Sequence, residues 1–496
     1  MVSDQTFGPA VRNVVDTYII VRLSRIRWRD DEWSTNRLMN AIYPVGKVIG
    51  LLPCTFLADR FGRKVPLTIG LFICITGAAL QGASQNVGMF IAARCILGFG
   101  TSFLVQPSPI LITELAFPTH RGKATATYNT FFYFGAILAA WFTYGTFPIK
   151  STWSWRIPSL LQGALPVIQL AFVWFVPESP RWLVAHGKQG EARRILAKYH
   201  AAGDEDSPLV AYELQEIEEN IRIETEVQGE TSWMDLVRSA PNRKRTLIAV
   251  IVGFFAQWNG AGELCVGQRQ FSAYKLDTGV VSYYLTLVLN TIGITETADQ
   301  ALINGLLQIF NWITAVGAGA MMVDRAGRRP LFLTSVAGMA VSYAIWTALT
   351  STFIKSHDAD AGRAVVAFIF IYYFFYNIAW SPLLLAYPVE IFPYSLRGKG
   401  VSVSLSCTFI GLIIGQFVNP IAMTAIGWKY YIVFCCILVV LFGVIYVLFP
   451  ETKGRTLEQI AEVFDGKNHK AGMTEVGLKE VDDNEKMEHV RVEEKV

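Results

Sequence analysis

The sequence predicts an all-α polytopic membrane protein built from two six-helix halves, and three observations carry that prediction. Of its 496 residues, 52% are hydrophobic and only 17% are charged, against about 25% charged in an ordinary soluble domain. Apolar runs of about 20 residues, the length that crosses a hydrocarbon core of about 30 Å, recur along the chain. The chain also repeats itself. Asp59-Arg60-Phe61-Gly62-Arg63-Lys64 returns in the second half as Asp324-Arg325-Ala326-Gly327-Arg328-Arg329. Glu114 with Arg121-Gly122 returns as Glu390 with Arg397-Gly398, and Pro177-Glu178-Ser179 as Pro450-Glu451-Thr452. Three motifs in one order and nearly one register mark two parallel halves.

Taken in order, the first half (38–176) has apolar spans at 38–58, 65–84, 87–112, 124–145 and 158–176. The second half (246–449) has them from 246, then at 301–323, 330–350, 364–387, 400–424 and 429–449. That makes eleven readable spans, one short of two sixes. Alternate connections are rich in Lys and Arg, with three at 60–64, ten at 177–245 and three at 325–329, whereas 85–86 and 291–300 carry none. The positive-inside bias therefore puts the repeated charged hinges, the central loop 177–245 and the tail 450–496 in the cytoplasm. Tyr212 to Glu226 in the central loop reads as an exposed acidic helix, and 465–496 as a disordered tail.

Two places break the pattern. Residues 1–37 occupy the place of a first span but are too densely charged to form one; Tyr18 to Val21 is their longest apolar stretch. The second break is 263–279, where Glu263, Arg269, Lys275 and Asp277 interrupt the seventh span. Each Arg, Lys or Asp at mid-bilayer costs about 2.5–3.5 kcal/mol. Deleting the segment leaves one span of normal length, and the codons at its edges permit splice sites, so 263–279 reads as a retained intron. The alternative is a genuine loop lining a cavity. On this reading the chain transports only once a first span is restored and 263–279 removed.

Several function classes drop out. A net charge of +3 gives no case for nucleic-acid binding, and the seven cysteines suggest neither a disulfide framework nor a metal site. No span clusters carboxylates, histidines or a nucleophile beside a base, so neither an enzyme nor a cofactor is expected.

The ordered motifs LADRFGRK (57–64), RCILG (94–98), PILITELAFPTHRG (109–122), PESPRWL (177–183), FAQWNG (255–260), DRAGRRP (324–330), SPLLLAYPVEIFPYSLRGKG (381–400) and PETKG (450–454) resemble the sugar-porter family of the major facilitator superfamily. The stretches NAIYPVGKVIG (40–50) and NPIAMTAIGWKYY (419–431) look like its fungal lactose-permease and cellodextrin-transporter branch. The resemblance implies a transporter working by alternating access, multi-pass in the plasma membrane, with a small-molecule substrate and a proton as partners.

A conformational latch is expected from Asp59, Arg60, Gly62, Arg63, Glu114, Arg121, Glu178 and Arg181 in the first half, and from Asp324, Arg325, Gly327, Arg328, Glu390 and Arg397 in the second. Carboxylates there can cap helix N-termini and meet arginines. A simple topology signal is the plainer alternative. Sugar binding needs neutral hydrogen-bonding groups and aromatic faces, for which Asn129, Gln162, Gln257, Asn259, Tyr283, Tyr284, Asn311, Asn377 and Trp380 are the intramembrane candidates. The resemblance aligns Gln162, Gln257 and Asn311 with family motifs, whereas Leu385 stands at a usual tryptophan and Thr408 at a usual asparagine. Interhelical hydrogen bonding is the alternative role for each. Lys47 and Arg94 are ionisable residues inside spans and functional candidates by that fact. Arg94 matches a coupling arginine whose aspartate partner belongs to the first span. The cargo implied is a disaccharide or oligosaccharide; a non-sugar metabolite exporter and a nutrient sensor remain the alternatives.

Overall fold

The computed structural model describes residues 32–117, 120–146, 149, 151–228, 232–260, 297–356, 359–454, 460 and 463–464. The segment 1–31, the insertion 263–279 with Tyr283 and Tyr284, and the tail from 465 lie outside the described residues.

The first half consists of α1 (Glu32–Phe61), α2 (Lys64–Gly82), α3 (Val87–Val105), α4 (Pro107–Leu115), α5 (Arg121–Thr146) and α6 (Trp153–Phe172). The link between the halves forms α7 (Pro180–Ala185), α8 (Gln189–His200), α9 (Pro208–Gln228) and α10 (Asp235–Arg238). The second half comprises α11 (Ala240–Phe255), α12 (Thr297–Thr314), α13 (Val323–Ala326), α14 (Arg328–Ser356), α15 (Ala359–Ile391), α16 (Tyr394–Ile426) and α17 (Tyr430–Leu448). The starts follow local chemistry: Asn86, Ser179 and Ser239 accept from backbone N–H groups in the first turns of α3, α7 and α11.

Among the described residues, nine helical stretches are long and apolar enough to cross a membrane. Two of the eleven spans read from the sequence fall short of that measure for different reasons. The helix α11 is described only as far as Phe255, before the turn 256–260. The helix α5 runs 26 residues but carries Thr, Tyr, Asn and Gly along its length. One face of α5 packs on α12 and α15 of the other half and carries buried Thr125, Thr130 and Tyr133, while its large apolar side chains Phe131, Phe132 and Phe142 are exposed.

Equivalent helices pair alike in the two halves. The pairs α2·α3 and α2·α6 in the first correspond to α14·α15 and α14·α17 in the second. The halves meet along α1·α16, α5·α12, α5·α15 and α4·α15. The acidic helix expected at Tyr212 to Glu226 exists within α9 but is not wholly exposed. It buries Val210, Glu213 and Ile217 against Trp182, Leu183 and Leu196, because its apolar residues recur at helical spacing and form one stripe.

Candidate functional site

The site is built in three layers, beginning at the span ends that carry the repeated charged hinges. In the first half Gly62, at φ +91°, turns the chain between α1 and α2. The Glu178 carboxylate takes the freed N–H groups of Arg63 (2.8 Å) and Lys64 (3.0 Å), which places an anion at a helix N-terminus. The Arg63 guanidinium lies 3.4 Å from Glu114, which also accepts from the Ser179 hydroxyl at 2.6 Å. The second half copies this arrangement. Gly327 sits at φ +92°, Glu451 accepts from the N–H groups of Arg328 and Arg329 at 3.0 Å each, Arg328 holds Glu390 at 2.8 Å, and Thr452 donates to Glu390 at 2.9 Å. Burial alone would draw the Arg63 guanidinium down, yet the facing groups, Glu114 foremost, hold it above its ordinary value. It stays charged.

Two contacts cross between the halves here. Arg397 reaches Glu114 at 3.3 Å, with both side chains buried, and the Arg63 guanidinium lies over the Tyr394 ring at 5.5 Å. The Arg-Gly glycines explain themselves in this layer. A Cβ at Gly122 would strike Arg328 and Asp324, and one at Gly398 would meet the Asp59 carboxylate. Each half thus rests a bare glycine on the charged hinge of the other, and the halves are in contact at this end.

The second layer is dry. Leu51 and Ile110 from the first half pack with Leu385, Val389, Val401, Leu405 and Phe409 from the second, flanked by Val48 and Tyr128. Beside this plug Thr55 and Ser402 share a hydrogen bond of 2.6 Å between the halves.

The third layer is polar and lies at mid-membrane. Tyr133 stands about 18 Å of helix along α5 from Arg121. Its hydroxyl donates to Asn377 Oδ1 at 2.7 Å across the halves. The Asn377 amide donates in turn to Asn311 Oδ1 at 3.0 Å and Thr314 Oγ1 at 3.2 Å. One turn nearer the charged hinges, Asn129 donates to the Ser381 carbonyl. Directly after Thr314 the helix widens into a π segment, Ala315–Gly319, in which Gly319 lies against the Asn377 carbonyl. Such widenings recur at functional positions.

Of the binding candidates, Asn129, Asn311 and Asn377 are brought together. Asn259 and Gln257 lie in the turn that ends α11. Tyr372 donates to the Asn259 carbonyl at 2.9 Å and Tyr376 to the Ala256 carbonyl at 3.3 Å, satisfying carbonyls the helix end leaves open. Gln257 lies against Gly411 of α16. Two candidates are placed elsewhere. Gln162 is exposed on α6, which packs on α2 and α5. Trp380 is rotated by about 100° from Ser381 and is fully buried against Phe332 in the second half's own core. Leu385 belongs to the plug, and the Thr408 hydroxyl bonds back to Ser404 of its own helix.

Among the latch candidates, Arg60 and Arg325 are exposed and outside the buried network, because the helical turn points them away from the hinge. Asp324 pairs with Arg328 at 3.1 Å, whereas Asp59 faces Gly398. Arg181 is buried at the start of α7, and the Arg121 side chain lies outside the described set. Arg94 lies over the Phe90 ring at 5.9 Å. Tyr133 and Thr314 escaped the sequence reading. Tyr133 follows Asn129 by one helical turn on the same face, a signal that spacing alone offered.

The sequence profile described as "Sugar (and other) transporter" matches residues 20–266 and 270–464. An MFS-type transporter of Aspergillus oryzae, oryC, is 30% identical over 436 residues, covering 88% of this chain and 78% of its own. A low-affinity glucose transporter of Kluyveromyces lactis is 28% identical, covering 86% and 73% respectively. Among solved structures, the proton:xylose symporter XylE bound to 6-bromo-6-deoxy-D-glucose superposes with a TM-score of 0.77 at 22% identity, over 92% of this chain and 94% of that one. The inward-open form of XylE from E. coli gives 0.65 at 22% identity, over 91% and 95%.

Proposed function

Because this chain belongs to the sugar (and other) transporter family, we propose that it moves a sugar, of disaccharide or larger size, through the plasma membrane by alternating access coupled to protons. The family is one of transporters, not enzymes, and the chain is a multi-pass membrane protein. The observation that carries the cargo reading is the bridge from Tyr133 through Asn377 to Asn311 and Thr314. It offers neutral donors and acceptors from both halves at mid-membrane, which is the inventory a polyhydroxylated ligand pairs with. Leu385 in place of an aromatic at the plug leaves a smaller side chain beside the chamber, which favours a cargo longer than one ring. The latch below closes the route to the cytoplasm, as alternating access requires of one state.

Labelled glucose, xylose, lactose and cellobiose, offered to transport-deficient yeast expressing the chain and a version with a first span restored and 263–279 removed, test the reading. Accumulation of a disaccharide, abolished by a protonophore, is the expected result. Binding of none of the four by the purified protein together with no uptake by either version would refute it.

A further inference from the structure

Lys47 is the charge that neutral sugar transport leaves without a task. It stands on α1 about 18 Å of helix from Asp59, and Phe409 stands about as far along α16 from Arg397. Both therefore lie at the depth of Tyr133, at the upper edge of the dry plug, next to its members Val48 and Leu405. The Lys47 ammonium is half-buried, 4.6 Å from the centre of the Tyr43 ring and 4.8 Å from that of Phe409, which belongs to the other half.

Among the described residues, none of the ion pairs found includes Lys47. Among the described residues, the spans carry only Asp59, Glu114, Asp324, Asp360 and Glu390 as acidic side chains. The first three and Glu390 stand at the cytoplasmic latch, and Asp360 opens α15 at the opposite face. At mid-depth the described charge is cationic. An ammonium in the membrane interior is costly and is retained where it has a function and a partner; two aromatic faces offset part of that cost. The other part matches a ligand carboxylate. The hydroxyl-pairing cluster at Asn377 and Asn311 occupies the same depth at the other contact between the halves, where α5 meets α12 and α15.

We propose that the chamber accepts a disaccharide-sized sugar acid, a uronide or aldobionate, whose carboxylate pairs with Lys47 at the α1–α16 contact while its hydroxyls engage the Tyr133–Asn377 cluster at the α5–α15 contact. The inference rests on the sugar-transport reading and narrows its substrate class. It also ties cargo to movement. A carboxylate that draws the ammonium toward the chamber removes it from Phe409, loosening one of the contacts between the halves above the plug.

The test is equilibrium binding to the purified full-length protein of lactobionate and cellobionate against lactose and cellobiose, for the wild type, K47M, K47R and, as control, K355M at the exposed end of α14. The wild type is expected to bind an acid at least tenfold more tightly than the matching neutral disaccharide. K47M should bring the acid-to-neutral ratio to about one, K47R should keep most of the preference, and K355M should leave it intact. Equal binding of acid and neutral sugar by the wild type, or a K47M loss shared equally by both, overturns the assignment while leaving sugar transport standing. Binding of no sugar and no acid overturns both.

Discussion

Arg397 of the second half lies 3.3 Å from Glu114 of the first, and neither side chain is accessible to water. Glu114 also holds Arg63 and Ser179 of its own half, so one carboxylate serves both the hinge and the seam. Removing one member of a buried pair costs about 3–5 kcal/mol because the other is left without compensation. Here that cost falls on the state closed to the cytoplasm. R397Q is expected to open that side, and the native Cys54 reports it. The Cys54 thiol is buried against Gln106, which itself donates to the Gly398 carbonyl across the seam. Maleimide labelling of Cys54, mapped by mass spectrometry in permeabilised cells, should rise severalfold or more in R397Q and less in R397K. Unchanged labelling would contradict the latch.

The glycines of the latch form two classes with different expected behaviour. Gly62 and Gly327 need their positive φ, and a Cβ at either would run into Glu178 or Glu451. Gly122 and Gly398 are helical and are constrained only by the opposite half. Alanine at Gly62 or Gly327 should therefore destabilise the purified protein by about 1–3 kcal/mol, read as a lower melting temperature. Alanine at Gly122 or Gly398 should instead favour the inward-open state and raise Cys54 labelling. G135A, where a Cβ meets nothing within 4 Å, should do neither. Identical effects at all five positions would remove the distinction.

The repeated charged hinges and most span boundaries were legible because they depend on local apolar length and on a repeated motif. The expectation at 324–329 carried over to Arg328, Glu390 and Glu451 in register with Arg63, Glu114 and Glu178. What the sequence left hidden depends on rotation about a helix axis and on partners distant in the chain. Trp380 and Ser381 are neighbours in sequence, yet one enters the second half's core and the other meets Asn129. Gln162 follows a family motif but lies on a peripheral helix, and the reciprocal glycine contacts join residues of opposite halves, Gly122 with Arg328 and Gly398 with Asp59. The assignment of 263–279 as intron-derived falls outside the described residues.

That assignment makes its own prediction. Transcript reads across codons 262–280 should include a spliced form lacking the codons for 263–279, and its product, once a first span is also restored, should accumulate more sugar than the chain as written. Reads that are continuous in every transcript would establish the segment as part of the protein.

Tyr133 provides the sharpest test of the chamber, because one atom distinguishes its two possible roles. Its hydroxyl fixes Asn377 by occupying Oδ1, which leaves the amide to face Asn311 and Thr314. Tyr133→Phe keeps the ring and its packing while deleting the bridge, so a purely structural tyrosine would lose about 0.5–1.5 kcal/mol of stability and affect every cargo alike. A tyrosine that reads a hydroxyl behaves differently. Affinity for the full sugar should fall about three- to tenfold, the equivalent of that same energy, while the analogue lacking the hydroxyl it pairs with should bind the wild type and Y133F equally. Affinities of a deoxy-sugar series for the two proteins settle it. A uniform loss across the series would make the residue a brace between the halves, whereas a loss missing for one analogue would place that hydroxyl at Tyr133.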